Sequence, residues 1–267
     1  MRHFTKIEGV PDYDCGELKP KLSDYCVLIP VLNEGERIRA ELSRAFAAGI
    51  HEEADIAICD GNSQDGSLDI QMLEGYGVNS LLIKTGPGRQ GAQLRTGIHW
   101  GIERGYRGFI TIDGNNKDSI EDVPRFIAKL KEGYDFVQGS RFIDGGYAEN
   151  TPLIRLLSVK LIHAPVISIT ARYHFTDTTN AFRGYSRRYL TDERVKPLRD
   201  VFVSYELLAY LSVRASQLGM RVCEIPVSRV YPKQGRTPTK ISALGGNLEL
   251  LKILARNFMG KYHPSKH

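Results

Sequence analysis

From Tyr25 onward the chain alternates two patterns. Short apolar runs, rich in β-branched residues, end abruptly in polar or glycine-containing clusters. Each is followed by apolar residues three and four apart, the period of a helix with one buried face. The runs predict strands over 25–30, 54–59, 80–84, 109–113 and 134–141. The spaced segments predict helices over 36–48, up to about 75, 92–104 and 120–132; Ile38, Leu42, Ala45 and Phe46 form the first stripe. Strands and helices alternating over short loops predict a largely parallel, three-layer α/β sheet. Beyond 150 the rhythm loosens into a helix over 152–170, a strand over 181–185, a helix over 205–218 and a strand over 221–226. A last helix over 244–262 is amphipathic, with Leu244, Leu248, Leu251, Ala255 and Phe258 on one side. No linker or repeat divides the chain. The expected organisation is an N-terminal arm over 1–24, one α/β domain over 25–242, and a basic amphipathic helix and tail over 243–267.

Composition adds limits. With 267 residues, 42% hydrophobic and 25% charged, the chain can bury one sizeable core. The net charge of +5 is gathered late: from Arg214 on there are many Lys and Arg, opposed only by Glu224 and Glu249. Such a region suits an anionic partner or a solvated face. Cys15, Cys26, Cys59 and Cys223 have neither C-x-x-C nor zinc-site spacing, so they are expected as reduced thiols. Residues 1–20 are polar, and no signal peptide is expected. No uninterrupted apolar run approaches the ~18 residues of a spanning helix, so none is expected. The expected location is cytoplasmic, in association with the inner face of the membrane.

The candidate chemistry lies where strands end. Phe109-Ile110-Thr111-Ile112 runs straight into Asp113-Gly114-Asn115-Asn116-Lys117, which delivers Asp113 to the carboxyl edge of the sheet. In open α/β sheets that edge is where ligands bind. Pro30 ends the first strand, and Asn33 and Glu34 follow with hydrogen-bonding groups; Asp60 stands at the next strand end. Arg89 and Gly91 lie in a glycine-rich loop that opens a helix. Arg141 closes the strand at Gly139-Ser140-Arg141. Asp177, Thr178 and Arg183 fall in Thr176-Asp177-Thr178-Thr179-Asn180-Ala181-Phe182-Arg183, Glu206 follows Tyr205, and Arg236 and Lys240 lie in a basic segment. Each also has a plain reading, such as a turn, a helix cap or an ion-pair partner.

In this order the motifs resemble the family 2 glycosyltransferases of the GT-A fold, most closely the dolichyl- or polyprenyl-phosphate sugar synthase branch. The resemblance covers roughly residues 25–242. It implies a GT-A sandwich around a mostly parallel, mixed central sheet. It also implies a donor site for a nucleoside-diphosphate sugar over Pro30, Asn33, Glu34, Asp60, Arg89, Gly91, Asp113, Gly114, Asn115, Arg236 and Lys240. Asp113-Gly114-Asn115 takes the place of the family's Asp-x-Asp, so Asp113 and Asn115 are the expected ligands of Mg²⁺ or Mn²⁺. Asn115 brings an amide where the family has a second carboxylate, and Lys117 adds a cation that either shares the neutralisation or repels the metal. Arg141, Asp177, Thr178 and Arg183 are expected on the acceptor side, and Asp113, Asp177, Glu206 and Arg141 as catalytic.

The implied reaction is inverting transfer of a sugar to a lipid phosphate, such as a polyprenyl phosphate, or to a membrane-associated glycan. An anionic phosphate needs no general base; a hydroxyl does, and Asp177 or Glu206 is the candidate. The apolar stretch 152–170 and the basic end 244–262 suit peripheral membrane contact or ordinary packing. No nucleic acid is expected. Two other readings stay open: a sugar nucleotidyltransferase, and a non-catalytic nucleotide-sugar-binding protein with a degraded metal motif.

Overall fold

The computed structural model describes residues 1–233 and 245–265. Its strands are β1 (Arg2–Phe4), β2 (Tyr13–Glu17), β3 (Tyr25–Val31), β4 (Asp55–Asp60), β5 (Val78–Lys84), β6 (Gly108–Thr111), β7 (Phe136–Ser140), β8 (Tyr147–Glu149), β9 (Arg183–Ser186), β10 (Val222–Pro226) and β11 (Ser228–Val230). Its helices are α1 (Glu36–Ala47), α2 (Ile50–Glu53), α3 (Ile70–Gly75), α4 (Gln90–Glu103), α5 (Val123–Lys131), α6 (Leu153–Ser158), α7 (Ala164–Ala171), α8 (Arg187–Leu190), α9 (Glu206–Gln217) and α10 (Gly245–Phe258). A π-helical stretch, Val159–His163, joins α6 to α7.

The central sheet has nine strands in the order β1-β2-β5-β4-β3-β6-β9-β7-β10. β5, β4, β3 and β6 run parallel, as do β7 and β10, while β9 runs against both of its neighbours. The alternating side chains of β3 show why the sheet is a middle layer. Val27, Ile29 and Val31 join one core with Ile38 and Leu42 of α1 and Phe126 and Ile127 of α5. Cys26 and Leu28 join the other, with Leu94 and Ile98 of α4 and Leu207 and Leu211 of α9. Strands buried on both faces read as continuous apolar runs. Each such side chain withdrawn from water contributes on the order of 2 kcal/mol. In α4, Gly97 lets the helix lie close on the sheet: a Cβ there would come within 2.5 Å of Cys59 Sγ.

Residues 1–24, expected as an N-terminal arm, carry β1 and β2. β2 pairs antiparallel with β5, and Tyr13 and Cys15 are buried. These pairings depend on a distant edge and have no local signature. β8 and β11, also absent from the sequence reading, form a separate parallel pair.

Register places the site. Thr111, the last residue of β6, pairs with Leu28, while Pro30 pairs with Cys59. The ends of β3, β4 and β6 therefore come out together, with Asp60 and Asp113 at one edge. Because β9 is reversed, the turn before it reaches that same edge.

Candidate active site

Asp113 leaves the end of β6 with its side chain 21% exposed. One carboxylate oxygen accepts a 2.9 Å hydrogen bond from Gln90 Nε2, at the start of α4. The other lies 3.5 Å from an Arg229 guanidinium nitrogen and 3.4 Å from the Asn115 amide nitrogen. Gly114 is needed here, since a Cβ would come within 2.9 Å of Val31. Arg229 is buried and also pairs with buried Asp118 at 2.6 Å. Burial opposes its charge, but Asp118, Tyr231 and Asp113 outweigh it and hold the guanidinium protonated. Burial pushes the Asp118 carboxyl up, with Arg229 countering. Burial, then Arg229, brings the Lys117 ammonium down to about 8. Burial raises the Tyr231 phenol but Arg229 and Arg155 lower it further, leaving it at about 8.

β11 holds Arg229 in place. The Val230 N–H donates to Lys117 O at 2.8 Å, and Ser119 N–H donates to Ser228 O at 3.0 Å. Beside this cluster opens a cleft of about 320 Å³, lined by Arg37, Asn115, Lys117, Asn150, Tyr231 and Lys233 among others. Sequence reasoning missed Gln90, Arg229 and Tyr231. The available signal was a charged residue between the β-branched Val227 and Val230 in the strand-like stretch Val227-Ser228-Arg229-Val230-Tyr231.

The other donor-side candidates surround the same edge. Asn33 has a left-handed backbone (φ 50), and its side-chain oxygen accepts the Gln64 N–H at 2.8 Å. Ser63 Oγ takes the Asn33 N–H at 2.9 Å and donates to Asp60 at 2.6 Å. Asp60 is buried, and that burial raises its carboxyl against the Ser63 hydrogen bonds. It anchors the 60–67 turn, as Asp65 does through Ser67 and the Gly35 N–H. Glu34 pairs with Arg37 at 2.8 Å, and Pro30 is part-buried at the end of β3. Arg89 is 73% exposed, 3.8 Å from Glu249 of α10. Gly91 lies under the 202–204 loop, and a Cβ there would sit 2.6 Å from Ser204 O. Glu206 opens α9 and accepts the Ser204 N–H at 2.5 Å. Arg236 and Lys240 lie outside the described residues.

The acceptor-side candidates turn inward in this structure. Arg141 and Asp177 form a two-pronged ion pair, Nε–Oδ2 2.5 Å and Nη2–Oδ1 2.9 Å, with side chains 1% and 0% exposed. Burial alone would raise the Asp177 carboxyl, but Arg141 holds it below the usual range. A carboxylate so enclosed and so acidic is unsuited to take a substrate proton. Arg183 gives its donors to the backbone oxygens of Asn180, Leu208 and Thr178. The Thr178 hydroxyl is buried against His163 Nδ1 at 2.7 Å. Glu224 binds the Thr176 and Asp177 N–H groups. These residues brace the floor of the site through their pairing with one another and with the backbone. Their inward pairing depends on β9 and β10, which a motif does not reveal.

The donors around Asp113 make a partial set for a divalent metal. Among the described residues no group of three or more His, Cys, Asp or Glu is placed to hold one. The Asn115 side-chain oxygen, however, is buried with no hydrogen-bond partner among them. One part-exposed carboxylate and one unclaimed amide oxygen fit a hard cation that takes its remaining ligands from a bound diphosphate and water.

No protein-family model matches the chain. It is 28% identical over 213 residues to the undecaprenyl-phosphate mannosyltransferase of Micrococcus luteus, covering 79% of this chain and 85% of that protein. It is 26% identical over 205 residues to the polyprenol monophosphomannose synthase of Mycolicibacterium smegmatis, covering 76% of each. Among solved structures, the glucosyl-3-phosphoglycerate synthase of Mycobacterium tuberculosis in complex with Mn²⁺, uridine diphosphate and phosphoglyceric acid superposes with a TM-score of 0.62. That match covers 88% of this chain and 78% of the other at 15% identity, a likeness of fold. With the nine-strand mixed sheet and its polar carboxyl edge, these relationships make the chain a GT-A glycosyltransferase related to the polyprenyl-phosphate mannose synthases.

Proposed function

We propose that the chain transfers a sugar from a nucleoside-diphosphate sugar to a polyprenyl phosphate, with inversion, in a single displacement. The observation that carries this reading is the charge pattern around Asp113. Arg37, Lys117 and Lys233 line the cleft and Arg229 backs it. Of the nearby carboxylates, Asp118 and Asp177 are each closed in a buried ion pair. A site lined by fixed cations, with these two carboxylates closed off, suits two phosphorylated substrates. An acceptor phosphate arrives deprotonated and attacks the anomeric carbon directly. The bond from that carbon to the diphosphate oxygen breaks, and the nucleoside diphosphate leaves with the electron pair. Lys117 and Arg37 would lie against its growing charge, a preorganised stabilisation that needs no rearrangement at the moment of reaction. Gln90 and Arg229 hold the Asp113 carboxylate in place. A divalent ion held by Asp113 and Asn115 would supply further neutralisation of the leaving diphosphate. The names of the mannosyltransferase relatives support the acceptor class, and the uridine diphosphate complex of the fold relative supports the donor class.

The test is mass spectrometry of the lipid product after incubation with a panel of nucleoside-diphosphate sugars and a short-chain polyprenyl phosphate. The expected product is a glycosyl phosphate lipid, absent with Asp113→Ala. Glu206→Gln is expected to retain transfer, because no proton needs removing from the acceptor. Failure to glycosylate the lipid phosphate with any donor, or a fully active Asp113→Ala, would overturn the reading. Transfer to a hydroxyl acceptor that is lost in Glu206→Gln would overturn the choice of acceptor.

A further inference from the structure

α1 carries one residue that its packing does not require. Its inward side is Ile38, Leu42 and Ala45, and Glu41 lies among them, fully buried. A carboxyl withdrawn from water on an apolar helix face is costly unless a partner offsets it. Burial pushes this one well above the ordinary range; the Asn116 N–H works against that, and Asp118 and Asp113 add to it. A side chain kept in such a place has a use that leucine would not serve.

The use lies in the loop after β6. Glu41 Oε2 accepts the Asn116 N–H at 2.7 Å, and Oε1 has no hydrogen-bond partner among the described residues. Three residues on, Arg44 Nη1 donates to Asn116 Oδ1 at 2.9 Å, while its Nε donates to Glu121 at 2.8 Å. Three residues before, Ile38 stands 3.3 Å from where a Cβ on Gly114 would lie. Residues three apart share a helix face, so Ile38, Glu41 and Arg44 form one line against Gly114 and Asn116.

Asn116 is the point at which the loop needs holding. Its backbone is left-handed (φ 57), a conformation that asparagine tolerates better than most residues. Just before it, the Asn115 N–H closes a tight turn on Asp113 O at 2.8 Å. The N–H that Glu41 holds belongs to the peptide joining Asn115 to Asn116. Fixing that peptide keeps the Asn115 side chain beside the Asp113 carboxylate, its amide nitrogen 3.4 Å away, with the Asn115 Oδ1 unclaimed.

We infer that Glu41 is a positioning residue for a divalent ion: its hydrogen bond to Asn116 fixes the turn that presents Asp113 and Asn115 together. Glu41 acts from inside α1, through the loop. The inference rests on the metal reading of Asp113 and Asn115 and adds to it a residue outside the cleft. Partners one layer behind the ligands commonly set metal affinity.

Mn²⁺ binding tests it, followed by loss of the free-ion electron paramagnetic resonance signal with uridine diphosphate or guanosine diphosphate present. Glu41→Leu keeps the side-chain volume and removes the acceptor. It is expected to weaken Mn²⁺ binding about tenfold while the thermal midpoint of the ligand-free protein does not fall. Glu41→Gln retains an oxygen for the Asn116 N–H and is expected to bind within about twofold of wild type. Arg44→Met removes the part-exposed half of the same grip, is expected to weaken binding as well, and serves if Glu41→Leu fails to fold. Unchanged affinity in Glu41→Leu, or in Arg44→Met where that variant alone folds, would overturn the inference and leave the metal reading standing. So would a Glu41→Gln protein as weak as Glu41→Leu, since the acceptor oxygen would then not be what matters. A wild type that takes up no Mn²⁺ with either nucleotide would overturn the metal reading and this inference with it. Lipid transfer by wild type and Asp113→Ala decides the proposed function separately.

Discussion

Arg229 shows how one side chain can organise a site without being conspicuous in the sequence. It is buried, it bridges Asp118 and Asp113, and its strand is stitched to the backbone of 117–119. Arg229→Met leaves Asp118 charged and buried without its partner, at a cost of about 3–5 kcal/mol. A urea titration should show that loss, with Arg229→Lys falling between because an ammonium cannot reach two carboxylates as a fork does. His163 permits a test by pH. Burial, then Arg183, brings its imidazole from the ordinary 6.5 down to about 4. Keeping a neutral histidine therefore contributes stability in full above about 6.5, and that contribution is lost as pH falls toward 4. Relative to His163→Gln, the wild type should lose on the order of 3 kcal/mol between pH 7 and pH 4. Parallel pH–stability curves for the two proteins would contradict this.

At the scale of elements, the legible parts were those with local causes. β3, β4 and β6 are buried on both faces and so must be continuous apolar runs, and their abrupt polar ends placed Asp60 and Asp113 at one edge. The illegible parts were elements whose partners lie far along the chain. β2 is held by β5, and β11 by β8 and the 117–119 backbone. The inward turn of Asp177 and Arg183 was illegible for a related reason: a motif names the side chain but not whether it points outward or into the floor. The start of α4 is the element whose fit matters most to the site. Gly91 lies against the carbonyls of Phe202 and Ser204, and its neighbour Gln90 holds Asp113. Alanine is ordinarily the better helix former by roughly 1 kcal/mol. Gly91→Ala should nevertheless destabilise by about 1–3 kcal/mol, because backbone atoms cannot yield as a side-chain tip can. Its turnover should fall as Gln90 is displaced. A more stable, fully active Gly91→Ala protein would show that the contact is looser than described.

For the whole molecule, the sheet is finished at one side by residues that do not belong to the α/β repeat. β1 and β2 cover the edge of β5, and Tyr13 stacks on Phe4 at 4.7 Å. Removing residues 1–17 would leave an apolar, unpaired edge open to other chains. The truncated protein should melt at lower temperature and aggregate on warming, as followed by light scattering. A truncated protein that stays monomeric with an unchanged midpoint would show that the edge needs no cover.

The reversed strand β9 has a consequence for how this scaffold can change over time. β6 and β9 are hydrogen-bonded neighbours, yet one reaches the ligand edge at its last residue and the other at its first. The loop bearing Asp113 and the turn over 176–182 therefore arise from opposite chain directions and share no connecting segment. Length and side chains on one can be altered by insertion or drift while the neighbouring strand keeps its pairing. The two sides of the edge become separately variable. Exchanging the 172–182 segment between relatives is thus expected to rebuild the floor while leaving the Asp113 side of the pocket in place.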